Sequence, residues 1–102
     1  MTTAQPLHGK VAFVQGGSRG IGAAIVKRLA SEGAAVAFTY AASADRAEAV
    51  ASAVTAAGGK ALAIKADSAD AAALQQAVRQ AVSQFGNLDI LVNNAGVFTL
   101  GS

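Results

Sequence analysis

Four short apolar runs alternate with three stretches of helical period, and glycine closes each of those stretches. That alternation leaves few folds open. A strand joined to the next by a helix can pair with it in parallel, because the helix supplies the crossover. Residues 10–15 (Lys-Val-Ala-Phe-Val-Gln) form the first run and end at Gly16 and Gly17. From 20 to 32, Ile21, Ala24, Ile25 and Leu29 recur at helical spacing, with Lys27, Arg28, Ser31 and Glu32 off that stripe and Gly33 as the stop. Residues 34–40 read as a second strand. Ser43 can cap a helix over 43–57 that carries Ala47, Val50, Ala51, Val54 and Ala57 on one face and ends at Gly58 and Gly59. Leu62 and Ile64 mark a third strand. Asp67 or Ser68 opens a third helix with Leu74, Ala77, Val78, Ala81, Val82 and Phe85 in phase, stopped by Gly86. Leu88 to Asn93 is a fourth strand, followed by a short tail. The expected fold is α/β: a Rossmann-like, doubly wound sheet of four parallel strands in order 3-2-1-4. The first two helices share one face and the third covers the other, and no antiparallel pair is expected.

At 102 residues the chain has room for one small domain. Its 53% hydrophobic content is inflated by 27 alanines, which add little apolar area. Val, Ile, Leu and Phe must therefore supply most of the burial. Eight basic and six acidic residues give a net charge of +2 without any basic stripe, and four Phe with one Tyr are too few to stack bases. Nucleic acid is therefore not an expected partner. Without cysteine there is neither disulfide nor thiolate metal site. With no charged-then-apolar leader and no apolar stretch near the ~20 residues of a membrane span, the expectation is a cytoplasmic protein without membrane contact.

The sharpest feature is the segment 16–22, Gly-Gly-Ser-Arg-Gly-Ile-Gly, between the first strand and the first helix. Gly16, Gly20 and Gly22 follow G-x-x-x-G-x-G. No register gives G-x-G-x-x-G, and no Gly-Lys-Ser/Thr follows to make a P-loop. Glycine allows the tight turn and lets backbone approach a diphosphate. The unpaired N–H groups at the helix start then face the anion. An ordinary glycine-rich turn is the plainer reading, and the position in the first strand–helix unit favours the phosphate site. Asp67 can equally be a helix N-cap, and the two asparagines Asn93 and Asn94 can be turn residues. His8 reads as a solvated loop residue, and Lys27, Glu48, Lys65 and Arg79 as solvated charges.

Gly16 to Gly22, Asp67 after the third strand, and the segment 93–96 (Asn-Asn-Ala-Gly) together resemble the short-chain dehydrogenase/reductase family. The closest look is to 3-oxoacyl-(acyl-carrier-protein) reductases and related carbonyl reductases. The resemblance implies that Gly16, Ser18, Arg19, Gly20, Ile21 and Gly22 surround the cofactor's phosphates and adenosine ribose. It implies that Asp67, with Ser68 beside it, accepts a hydrogen bond from the adenine amino group. Asn94, Ala95 and Gly96 would line the ribose side, while Asn93 ties neighbouring strands. One position departs from the pattern: Gln15 stands where the family has Thr before the first glycine, which leaves open how the turn is hydrogen-bonded.

Cofactor choice follows from charge. An NAD-preferring site puts Asp or Glu at the end of the second strand, where it repels a 2′-phosphate. Here that strand runs Phe38-Thr39-Tyr40-Ala41-Ala42-Ser43, with no acid before Asp45. Tyr40, Ala41 and Ser43 line the region, and Arg19 supplies a cation, so NADP(H) is the expected cofactor. The missing acid also counts against an S-adenosylmethionine methyltransferase.

The resemblance implies hydride transfer by a Tyr assisted by Ser and Lys, the Tyr and Lys in a Tyr-x-x-x-Lys pair. The only Tyr is Tyr40, with Ala44 four residues on. No residue here inherits a catalytic role. The expectation is an NADP(H)-binding half-domain over 1–102, truncated after the fourth strand and belonging to a longer reductase. A non-catalytic nucleotide-binding or self-assembling module is the alternative. The 88–93 strand would then be an open apolar edge guarded only by Asp89. Self-association through that edge, or through the helix ending at Phe85, is expected.

Overall fold

Val11, Ala12, Phe13 and Val14 are successive residues of one strand, and none is more than 3% exposed. Since neighbouring side chains of a strand point to opposite faces, such a run requires cover on both sides. In the computed structural model, which describes residues 7–16, 20–42, 44–67, 70–93 and 96–99, that cover is three helices. The elements run β1 (Val11–Gln15), α1 (Gly20–Ser31), β2 (Ala35–Tyr40), α2 (Ala44–Ala56), β3 (Lys60–Lys65), α3 (Ala71–Phe85), β4 (Ile90–Asn93) and β5 (Gly96–Thr99). The sheet order is β3-β2-β1-β4-β5. The first four strands are parallel in the order 3-2-1-4, as the alternation of elements requires.

The fifth strand corrects the sequence reading. From the sequence, the residues after Gly96 read as a short tail and β4 as an open edge, with no antiparallel pair in the sheet. Instead β5 lies antiparallel on β4, pairing Ile90 with Thr99 and Asn93 with Gly96. The N–H and C=O groups of β4 are thus satisfied by the chain folding back rather than by a second molecule. The outer strands are β3 and β5. Asp89, read as a charged guard of that edge, has another role. Its carboxylate accepts the Val11 N–H at 2.9 Å, and the Asp89 N–H donates to the Val11 carbonyl at 2.8 Å, joining the starts of β1 and β4.

Two cores form, one on each face. Ala12, Val14, Val36, Phe38 and Val92 meet Val26 and Ala30 of α1 and Ala47, Val50 and Val54 of α2. On the other face Phe13, Ala37 and Ile64 meet Ala77 and Ala81 of α3. The register interleaves large and small side chains. Phe38 lies between Val14 and Ala63, and Phe13 between Ala37 and Leu91, so each ring has a small residue at one flank. Both Phe side chains are essentially fully buried, and burial of each contributes on the order of 1.5–3 kcal/mol.

The helix stripes agree with the sequence over most of α2 and α3, where Ala57 falls beyond α2 and is exposed and Val82 is 37% exposed, and less well over α1. Ile21 is 76% exposed and Ala24 is exposed, while Gly22, Val26 and Ala30 form the buried line. Ile25 and Leu29, both in the stripe expected from the sequence, are partly buried and pack against the core, while the fully buried line lies one residue further on and starts at Gly22, which carries no hydrophobic signal. The opening of α3 also differs. The N-cap is Asp70, whose carboxylate accepts the Ala73 N–H at 3.1 Å, so Asp67 and Ser68 precede the helix. The expected cap of α2, Ser43, lies outside the described residues.

After α2 the chain turns back closely enough that a Cβ on Gly59 would sit 2.9 Å from Val54 Cγ1 and 3.3 Å from its carbonyl oxygen. Val54 is 3% exposed, and its β-branched side chain is restricted at χ1. Gly59→Ala is expected to destabilise the fold by about 1–3 kcal/mol, an overpacking cost, and urea unfolding measures it.

Candidate functional site

Parallel pairing brings the carboxyl ends of β1 to β4 to one end of the sheet. Tyr40 pairs with Lys65 and Gln15 with Asn93. One step further, the Ala66 N–H donates to the Tyr40 carbonyl at 2.9 Å, so Asp67 follows directly on the end of β2's neighbour. Asp67, Ala41, Gly16 and Asn93 therefore line up along this end in strand order. The connections reverse direction at β1, since β2 and β3 lie to one side of it and β4 to the other. A crevice outside strand ends at such a reversal is where open α/β sheets bind ligands.

The β1–α1 turn is built for close approach. Gly16 has φ +77° and Gly20 has φ +60°, both in the left-handed region where a side chain is strained. Nothing within 4 Å would meet a Cβ at Gly20, so the space above the helix start is open. The first turn of α1 contains no acidic residue. Its positive helix end thus meets no carboxylate of its own turn, an arrangement suited to an anion. Ile21 stands exposed beside it, an apolar side chain with room for a ligand to cover it. The residues fit a dinucleotide diphosphate on these grounds.

Of the residues singled out in the sequence, Gly16, Gly20, Ile21, Gly22, Tyr40, Ala41, Asp67 and Gly96 are described. All lie at this end of the sheet or on the first turn of α1. Tyr40 is half-buried, and Ala41 and Asp67 are exposed. Gly96 opens β5 opposite Asn93. Ser18, Arg19, Ser43, Ser68, Asn94 and Ala95 lie outside the described residues. Because Asp70 caps α3, the carboxylate of Asp67 is not committed to that role.

One contributor was not anticipated. Thr39, fully buried in β2, accepts the Gly16 N–H on its hydroxyl oxygen at 2.9 Å. This answers how the turn is hydrogen-bonded with Gln15 before the first glycine: the hydroxyl comes from the neighbouring strand. The signal was a threonine next to last in a strand otherwise of Ala, Val, Phe and Tyr, which strand propensity alone treats as unremarkable.

Two clefts lie elsewhere. One of about 710 Å³ sits at the amino end of the strands, lined by His8, Lys10, Lys27 and Lys60 together with the ends of the three helices. Its size does not make it the nucleotide site. Helix C-termini present carbonyl oxygens there, and the lysines offset that negative end. The other, about 380 Å³, lies between α3 and the sheet and is lined by Phe13, Leu74, Val78 and Leu91, with Gln15, Gln75 and Arg79 at its rim. Among the described residues no group of three or more His, Cys, Asp or Glu can hold a metal ion, and no helix is long and apolar enough to cross a membrane.

Comparison with known proteins agrees with this geometry. Residues 10–102 match the family model described as short chain dehydrogenase. A 3-oxoacyl-[acyl-carrier-protein] reductase of Staphylococcus aureus is 50% identical over 88 residues, covering 86% of this chain and 36% of that protein. The crystallised short-chain dehydrogenase/reductase of Serratia marcescens is 95% identical with a TM-score of 0.87, over 95% of this chain and 40% of that one. A short chain dehydrogenase of Burkholderia cenocepacia in complex with NADP is 60% identical with a TM-score of 0.85, over 94% and 39%. The chain thus spans 36% to 40% of the length of these proteins.

The capping assignment is directly testable. Asp70→Ala should cost about 1 kcal/mol and raise hydrogen exchange at the Ala73 amide, whereas Asp67→Ala should leave that amide protected.

Proposed function

This chain belongs to the short-chain dehydrogenase family, and from that premise we propose that it is the NADP(H)-binding portion of an oxidoreductase. The whole enzyme would transfer hydride between NADPH and a carbonyl substrate of the 3-oxoacyl type. The observation that carries this reading is the turn at Gly16 and Gly20, opening onto an acid-free helix start at the reversal of the sheet. The named relative reduces a 3-oxoacyl group and a solved neighbour holds NADP, which supports the substrate class and the cofactor.

In this reading the backbone N–H groups of the turn and of the first turn of α1 hold the diphosphate, with Ser18, Gly20, Ile21 and Gly22 around it. Arg19 and Ser43 meet the 2′-phosphate beyond Tyr40 and Ala41, where no carboxylate repels it. Asp67 and Ser68 receive the adenine, and Asn94, Ala95 and Gly96 border the ribose toward the nicotinamide. Bound there, the cofactor supplies a hydride to a carbonyl carbon. This chain's residues bind and orient it, and Tyr40, the single Tyr, serves the cofactor side rather than proton donation. The 1–102 stretch is one nucleotide-binding unit, and the chemistry at the carbonyl falls to residues other than these.

The alternative, a module that assembles with itself, is favoured by one observation: the apolar cleft of Phe13, Leu74, Val78 and Leu91 beside α3, with Val82 also exposed. We propose that a second copy of the chain covers this face, now that β5 occupies the edge of β4. Light scattering across a dilution series should then show a dimer that Val78→Asp disperses. A monomer at high concentration would remove this reading.

The cofactor proposal is tested by titration calorimetry. NADP(H) should bind more tightly than NAD(H), and Arg19→Ala should weaken NADP(H) selectively, by roughly tenfold for a charge-assisted contact worth about 1.5–3 kcal/mol. Equal affinities for the two dinucleotides in both proteins would overturn it.

A further inference from the structure

Among the described residues, Thr39 is the one polar side chain that is buried. A buried hydroxyl is costly unless hydrogen-bonded, and valine would fill the same space at no such cost. What the hydroxyl gains is the Gly16 N–H, 2.9 Å away and 23 residues distant in sequence. Gly16 is the first residue beyond β1 and turns the chain with φ +77°. Thr39 itself is held in place from the β3 side. It pairs with Ile64 of β3, and its neighbour Tyr40 receives the Ala66 N–H on its carbonyl. Its branched side chain has a restricted χ1, so the oxygen is fixed by the strand that carries it.

We infer that Thr39 is a positioning residue, which anchors Gly16 to β2 and so fixes the point from which the 16–22 segment leaves the strand. This rests on the proposed reading of that segment as a diphosphate site. A contact with the 2′-phosphate would discriminate between the two nicotinamide dinucleotides. An anchor on the turn acts on what they share. Thr39→Val therefore weakens NADP(H) and NAD(H) by the same factor, roughly five- to tenfold for the loss of one hydrogen bond. Thr39→Ser keeps the oxygen and restores binding to near the original level.

The test has two arms. Hydrogen exchange at the Gly16 amide needs no cofactor: the amide should be protected in the original chain and in Thr39→Ser, and should exchange freely in Thr39→Val. Titration of the same three proteins with each dinucleotide reads the binding consequence, with melting temperatures taken alongside to confirm folding. If Thr39→Val does not fold, Thr39→Ala carries the same comparison. A Gly16 amide that exchanges like a solvated loop in the original chain overturns the inference, as does unchanged affinity in the folded variant. Should the original chain bind neither dinucleotide, the proposed function fails, and the amide arm still decides whether Thr39 anchors the turn.

Discussion

Everything in this molecule hangs on β1 being covered on both faces and paired on both edges. A strand so placed cannot be reached by a short hairpin connection. Its neighbours have to arrive in parallel by way of helices. Right-handed crossovers then carry α1 and α2 over one face as the chain moves outward through β2 and β3. The return past β1 to β4 carries α3 over the other face. The reversal at β1 is thus a consequence of burial, and so is the crevice at its carboxyl end. Site and core are two results of a single packing requirement.

The same requirement explains which side chains sit near the crevice. The end of β1 brings one polar side chain of its own, Gln15, and any other polar group there comes from the adjacent strands. The β1–α1 turn needs an acceptor for the Gly16 N–H, and Gln15 does not fill that place. The acceptor is instead the hydroxyl of Thr39 in the next strand. The glycines allow the backbone conformation, and the threonine fixes it.

The alternation of elements, the order of the first four strands and the segregation of helices by face were all legible in the sequence. They follow from period and punctuation, which act locally and leave a mark on composition. The inward face of α1 was legible only in part: Ile25 and Leu29 pack on the core as their period suggests, but Gly22 is buried without any hydrophobic signal to mark it. The cap of α3 was misjudged for a related reason. Asp67, Ser68 and Asp70 are all capable caps, and only the path of the chain out of β3 selects the last of them. The pairing of β5 with β4 depends on a reversal after Asn93 that period alone does not announce. Thr39 was invisible because a hydrogen bond spanning 23 residues leaves no local trace.

The core described above leans heavily on alanine: Ala12, Ala30, Ala34, Ala37, Ala47, Ala66, Ala77 and Ala81 are all buried. Each brings helix and sheet close together while removing little apolar surface from water. The heat capacity of unfolding scales with the apolar surface that becomes hydrated, so this core has a smaller increment than one built of leucine and isoleucine. Its stability curve is correspondingly broad and shallow in temperature. Cooling weakens such a protein less than one whose core is made of large side chains, and its modest maximum of stability extends over a wider span of degrees.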